Sequence, residues 1–147
     1  MNRKTIAALS LGIIFSTSSM AQKAEMKPMV DLPEACQSAP KNKMSMPEMP
    51  AMKMMGGMTE TQKAFHMAMM KMEPAMMQGM MASDADVAWA CAMIPHHQSA
   101  IEMSKAVLKT GDNAEIKRMA EKVISDQEKE IAEFKEWLAK SAKSEGK

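Results

Sequence analysis

The sequence predicts an all-α protein, a helical bundle of three to four helices preceded by a flexible methionine-rich arm. Three observations predict it. From Thr59 onward apolar residues recur at the helical period of about 3.6, helix-start and helix-stop chemistry punctuates the same stretch, and β-branched residues nowhere cluster as strands require. One strong loop, Thr110-Gly111-Asp112-Asn113, divides two long amphipathic stretches.

Residues 1 to 21 read as a secretory signal peptide: Arg3 and Lys4 precede an apolar run from Ile6 to Phe15 and a small-residue site at Ser19-Met20-Ala21. That run is too short to span a bilayer, and no later segment is apolar for long enough, so no membrane span is expected. The mature chain is expected to start near Gln22 and to work in the periplasm or outside the cell. Removing Arg3 and Lys4 takes Lys plus Arg from 19 to 17 against 18 Asp plus Glu, and no basic run stands out elsewhere. Nucleic acid is therefore not an expected partner.

Residues 22 to 58 form the arm. They carry Pro28, Pro33, Pro40, Pro47, Pro50 and the Gly56-Gly57 pair without sustained periodicity, which predicts a flexible segment that the bundle could fold without. Residues 59 to 141 are assigned to the bundle and 142 to 147 to a disordered tail. Cys36 in the arm and Cys91 in the bundle are compatible with one disulfide in an oxidising compartment, or with a thiol ligand; spacing alone does not choose.

The first helix is predicted to begin at Thr59, with Gln62 placed for a capping box, and to run towards Met81 with a kink or break at Pro74. The second starts with Asp84 or Asp86 near its N-terminus and ends at Lys109, with Gly111 placed for a left-handed C-cap. Pro95 inside it removes one backbone bond and crowds the carbonyl of Cys91, so a bend is expected just before His96 and His97. The third opens at Asp112 or Asn113, with Glu115 available for a capping box, and runs to about Lys140.

On the third helix Ile116, Met119, Ala120, Val123, Ile124, Ile131, Phe134, Trp137 and Leu138 share one face, with Gln127 and Glu130 as polar intruders. On the second, Trp89, Ala90, Met93, Ile94, Ala100, Ile101, Val107 and Leu108 form the apolar arc; His97 lies near its centre, His96 on a flank, and Cys91 towards the polar side. A short turn at Gly111 makes these helices antiparallel, which brings residues equally far from the turn to one height. Met103 then pairs with Met119, His96 and His97 lie level with Ser125 to Gln127, and Met93 with Lys129 to Glu130. The polar positions of the two stripes meet, predicting a cluster of His96, His97, Met93 and Gln127 or Glu130. A histidine hydrogen-bonded to a glutamine or glutamate can also simply organise a core, the alternative to a metal ligand.

Methionine supplies the strongest chemical signal. It accounts for 22 of 147 residues, and fifteen of these fall between Met44 and Met81. The thioether is a soft, polarizable donor that holds Cu(I) or Ag(I) without losing a proton. In the arm Met44, Met46, Met49, Met52, Met54, Met55 and Met58 place several thioethers within reach of one ion. On the first helix Met69, Met72, Met76 and Met80 align with Phe65 as a predicted buried stripe, whereas Met67, Met70, Met77 and Met81 point to the opposite side near His66, where burial does not account for them.

The run Met93-Ile94-Pro95-His96-His97-Gln98-Ser99-Ala100-Ile101-Glu102-Met103, followed by Gln127-x-x-Glu130-Ile131 and Trp137-Leu138, resembles the domain-of-unknown-function 305 family over roughly Asp84 to Lys140. The resemblance implies a ferritin-like helical bundle. For secreted, methionine-rich members similar to a known periplasmic copper-binding protein, it implies copper binding, with Met93, His96, His97 and Met103 at motif positions. Where family members often carry a phenylalanine before this motif, the chain has Val87-Ala88-Trp89-Ala90-Cys91. Where they often carry a further upstream histidine, it has Lys71-Met72-Glu73-Pro74.

The expected function is periplasmic sequestration, buffering or transfer of copper as Cu(I), with Ag(I) and Cu(II) as further candidates. A copper exporter or copper oxidase is the expected acceptor, and self-association would complete the small bundle. A methionine-based oxidant scavenger or a non-metal interaction protein is the alternative. A ferritin-like oxidase is disfavoured because no Glu-x-x-His motif occurs, and binding rather than catalysis is expected.

Overall fold

A computed structural model describes residues 29–37 and 55–145. Among the described residues there are three α-helices and no strand: α1 (Glu60–Met80), α2 (Ala85–Thr110) and α3 (Ala114–Glu145), with short 3-10 turns at Glu34–Gln37 and Met55–Gly57. The all-α expectation is met. No helix among these residues is long and apolar enough to cross a membrane.

Local chemistry sets the helix starts. Thr59 Oγ1 accepts from the Gln62 N–H at 3.2 Å while Gln62 Oε1 accepts from the Thr59 N–H at 2.8 Å, the predicted capping box. Asp84 Oδ1 accepts from the backbone of Asp86 and of Val87, both at 2.9 Å. Asn113 Oδ1 accepts from the Ile116 N–H at 3.0 Å. This cap places Ile116, not Glu115, at the third helical position, so the box expected with Glu115 does not form.

The expected helix ends need correction. Both α1 and α2 continue through their prolines, Pro74 and Pro95, so α1 does not break at Pro74. Gly111 has φ −77° and ψ 157°, an extended conformation rather than a left-handed cap. Glycine suits it for a different reason, because a Cβ there would stand 2.8 Å from the Val107 carbonyl oxygen. The third helix runs past Lys140 to Glu145, so part of the expected tail is helical.

The central helix is α2, with α1 against one side and α3 against another, and the Glu34–Gln37 turn touches all three. Cys36 and Cys91 form a disulfide and both are fully buried. Leu32 is buried with them, and Val30 and Ala35 pack on the same cluster of Ala90, Ile94, Ile101, Ile131 and Leu138. Cys91 therefore does not face a polar side, because the arm covers it. The arm is structural at its middle: the segment from Val30 to Cys36 acts as a fourth packing element, correcting the expectation of a uniformly flexible, dispensable leader.

The contact between α1 and α2 is made by small residues. Ala68, Ala75 and Gly79 are the buried positions of α1, and a Cβ on Gly79 would lie 2.7 Å from the carbonyl carbon of Cys91 and 2.8 Å from its oxygen. That carbonyl is the one Pro95 deprives of its helical N–H donor. The backbones meet where the proline has removed a hydrogen bond and the glycine has removed a side chain.

Candidate metal centre

Close packing by alanine and glycine turns the methionines of α1 outward. At 100° per residue, the Met69, Met72, Met76 and Met80 stripe lies roughly a quarter-turn from the face of Ala68, Ala75 and Gly79. Met69 is 56% exposed and Met80 43%, with Met72 and Met76 half-buried. The expectation that these four form a buried stripe is thus overturned. Together with Met77 and Glu73 they line an open groove of about 340 Å³.

His66 stands on α1 one turn before Met69 and Met70, so its side chain neighbours both. Its Nε2 is buried and has no hydrogen-bond partner among the described residues. Met70 is half-buried and Met81 exposed, as are Met55 and Met58, half-buried, and Met119, exposed. Met44, Met46, Met49, Met52 and Met54 lie outside the described residues.

The second constellation joins α2 and α3. His97 is 6% exposed, and its Nε2 lies 2.7 Å from Glu130 Oε2, which also accepts from Gln127 Nε2 at 3.0 Å. The predicted meeting of His97 with Gln127 and Glu130 therefore occurs, through the carboxylate of Glu130. A carboxylate accepts and does not donate, so the neutral ring that pairs with it carries its proton on Nε2 and a lone pair on Nδ1. That Nδ1 is buried without a hydrogen-bond partner among the described residues. A histidine that gives one ring N–H to a carboxylate and keeps the other nitrogen open has the arrangement that metal-ligating imidazoles adopt.

His96 is not part of this pair. It is exposed, its ring centroid 5.8 Å from that of His97 and tilted by 59°. Met93 and Met103 are half-buried on α2. Among the described residues no group of three or more His, Cys, Asp or Glu side chains could hold a metal ion. A site built only from nitrogen and oxygen donors is therefore not offered there, and thioethers would have to complete any coordination.

Phe134 was assigned only to the core stripe, but it stands edge-on to His97 at 5.4 Å and to Trp89 at 5.2 Å, bracing the imidazole. The i, i+4 spacing of Glu130 and Phe134 signals this, since it places both one turn apart on the face that meets α2.

No curated protein matches the chain. One family model, described as Domain of unknown function (DUF305), matches residues 14–138, which takes in the arm as well as the three helices and extends well before the His-His motif. The chain belongs to the domain-of-unknown-function 305 family.

Proposed function

We propose that this chain is a secreted soft-metal binding protein that takes up Cu(I), and Ag(I) by the same chemistry, in the periplasm, and holds it for sequestration, buffering or transfer to an exporter or oxidase. The observation that carries the reading is the groove of Met69, Met72, Met76, Met77 and Met80 on α1. These thioethers do not fill the core, whose contacts with α2 are made by alanine and glycine. Five soft donors converge on one surface with a single carboxylate, Glu73, a set that suits a monovalent soft ion and poorly suits Zn(II) or Mg(II). The unpartnered Nε2 of His66, one turn away, supplies a nitrogen donor.

The His97 pair supports a second donor, a single imidazole nitrogen whose coordination thioethers would have to complete. Its Nδ1 lone pair fits Cu(II) or Cu(I), with Glu130 and Gln127 holding the ring in place. Binding and exchange of ligands, rather than bond chemistry on a substrate, is the proposed activity.

The deciding experiment is an anaerobic Cu(I) titration of the purified protein against a competing colorimetric chelator, with Zn(II) in parallel. Several equivalents of Cu(I) withdrawn from the chelator, with weak Zn(II) uptake, are the expected result. Failure to compete for Cu(I) would leave oxidant scavenging as the better account. The exposure of Met69 and Met81 favours that second reading, and it requires rapid sulfoxide formation with hydrogen peroxide and reversal by methionine sulfoxide reductase.

A further inference from the structure

On the side of the bundle where α2 begins and α3 ends, Asp86, Trp89 and Ala90 face Glu133, Phe134 and Trp137 across a groove of about 490 Å³. The two helices contribute matching sets. Asp86 and Trp89 are three residues apart, Glu133 and Trp137 four apart, so each helix supplies one carboxylate and one indole a turn away. Trp89 is 59% exposed and Trp137 42%, although both belong to stripes that the sequence assigns to the core. Phe134 meets Trp89 edge-on with an interplanar angle of 89°, which fixes the wall between them.

We propose that this groove binds a small organic cation bearing a quaternary ammonium group. Aromatic faces attract a cation through the ring quadrupole, and the two carboxylates at the rim add net negative charge. A quaternary ammonium has no N–H to satisfy and a loosely held hydration shell, so apolar walls cost it little while charge and π-faces are what it needs. The volume falls within the range of small-ligand pockets, about 300–1,000 Å³. Among the described residues no lysine or arginine lines the groove; Lys129 approaches Glu133 at 3.7 Å, but as an exposed i, i+4 neighbour.

The same charges argue against the other occupants. An apolar helix laid into the groove would take the Asp86 carboxylate, and Glu133 with its exposed Lys129 neighbour, out of water and offer neither carboxylate a new partner. A second copy joined symmetrically through this face would bring four carboxylates together. The proposal does not depend on copper binding and uses none of the residues assigned to it.

Trp89 and Trp137 are the two tryptophans of the sequence and there is no tyrosine, so in metal-free protein the intrinsic indole emission comes from the two tryptophans that line this groove. Metal-free protein is titrated with choline chloride, with sodium chloride at matched ionic strength and with the uncharged tert-butyl isostere of choline. The expected result is a saturable change in emission with choline and none with either control. The double variant Asp86→Asn/Glu133→Gln, checked for helicity by circular dichroism, is expected to weaken choline binding at least about tenfold, equivalent to ~1.4 kcal/mol. A flat choline titration overturns the proposal, as does an equal response to the uncharged isostere. The choice between choline and isostere is made on the unaltered protein, so it stands whatever the variant does to folding.

Discussion

At the scale of single residues, Gly79 and His97 do the most with the least. Every atom that a Cβ on Gly79 would meet within 3 Å is backbone: the carbon and oxygen of Cys91 and the nitrogen of Ala92. A side-chain rotation cannot relieve that overlap, so Gly79→Ala forces α1 away from α2 at a cost of about 1–3 kcal/mol. Alanine's better helix propensity returns only about 1 kcal/mol. A lowered thermal midpoint is expected, and a variant as stable as the parent would mean the helices do not approach this closely. His97 makes a different prediction because Phe134 links it to Trp89, with ring centroids 5.4 and 5.2 Å apart. If Nδ1 takes Cu(II) as proposed, Trp89, one ring beyond Phe134, is the indole whose emission would be quenched. Stepwise addition of Cu(II) is expected to quench indole emission in the parent and in His96→Ala but not in His97→Ala. Glu130→Gln should weaken the effect roughly 10- to 100-fold, as loss of a partner behind a ligand does.

At the scale of elements, α1 is a helix whose packing face and chemical face have been separated. If the methionines served the core, replacing them with leucine would preserve stability and function alike. If they serve metal, stability stays and capacity goes. Replacing Met69, Met72, Met76 and Met77 with leucine is expected to leave circular dichroism unchanged and the thermal midpoint nearly so, because the sites are exposed or half-buried and leucine has a similar helix propensity. Cu(I) equivalents should fall, measured against the same chelator; an unchanged stoichiometry would move the binding elsewhere. The contrast between caps and faces shows what the sequence made legible. The starts at Thr59 and Asp84 could be read because a cap is settled within four residues, and the meeting of His97 with Glu130 because a short turn fixes the register approximately. The facing of α1 could not be read from its methionines, since methionine is apolar in any pattern and equally at home in a core or a groove. The informative residues were Ala68, Ala75 and Gly79, whose smallness carries no weight on a hydrophobic scale but decides which side another backbone can approach.

The far ends of α1 and α2 are clasped as well. Thr61 and Thr110 hydroxyls lie 2.6 Å apart, and Lys109 pairs with Glu60. Hydrogen bonding from Lys109, and then its charge, holds the Glu60 carboxyl below its ordinary value, and Glu60 in turn raises Lys109. The tie is fully present between the ordinary carboxylate and lysine ranges, is lost as pH falls through the depressed Glu60 value, and is lost again as pH rises through the raised Lys109 value. Both groups are fully exposed, so solvent and salt screen the contribution.

At the scale of the whole molecule, the arm decides whether three helices make a stable unit. The central helix has neighbours on both sides, yet much of the core around it, Leu32 and Cys36 with Ile94, Ile101, Ile131 and Leu138, is completed from the arm. Composition could not reveal this, because a proline-rich segment without periodicity reads as a leader and a lone cysteine within it has no spacing to identify its partner. The disulfide spans 55 residues of sequence, and in the chain-entropy account a loop of that size constrains the unfolded chain by about 4 kcal/mol. Cys36→Ser/Cys91→Ser should therefore lower the denaturation midpoint substantially, and deletion of residues 22 to 58 should lower it further, since it also strips Val30 and Leu32 from the core. The two changes together separate covalent tethering from packing. If the double serine variant unfolds at the parent's midpoint while the deletion does not, the arm holds by burial alone. If neither moves the midpoint, the arm is a removable leader after all. The expected order, parent above double serine variant above deletion, would mean that the methionines proposed to take up soft metal flank a segment that is itself part of the fold.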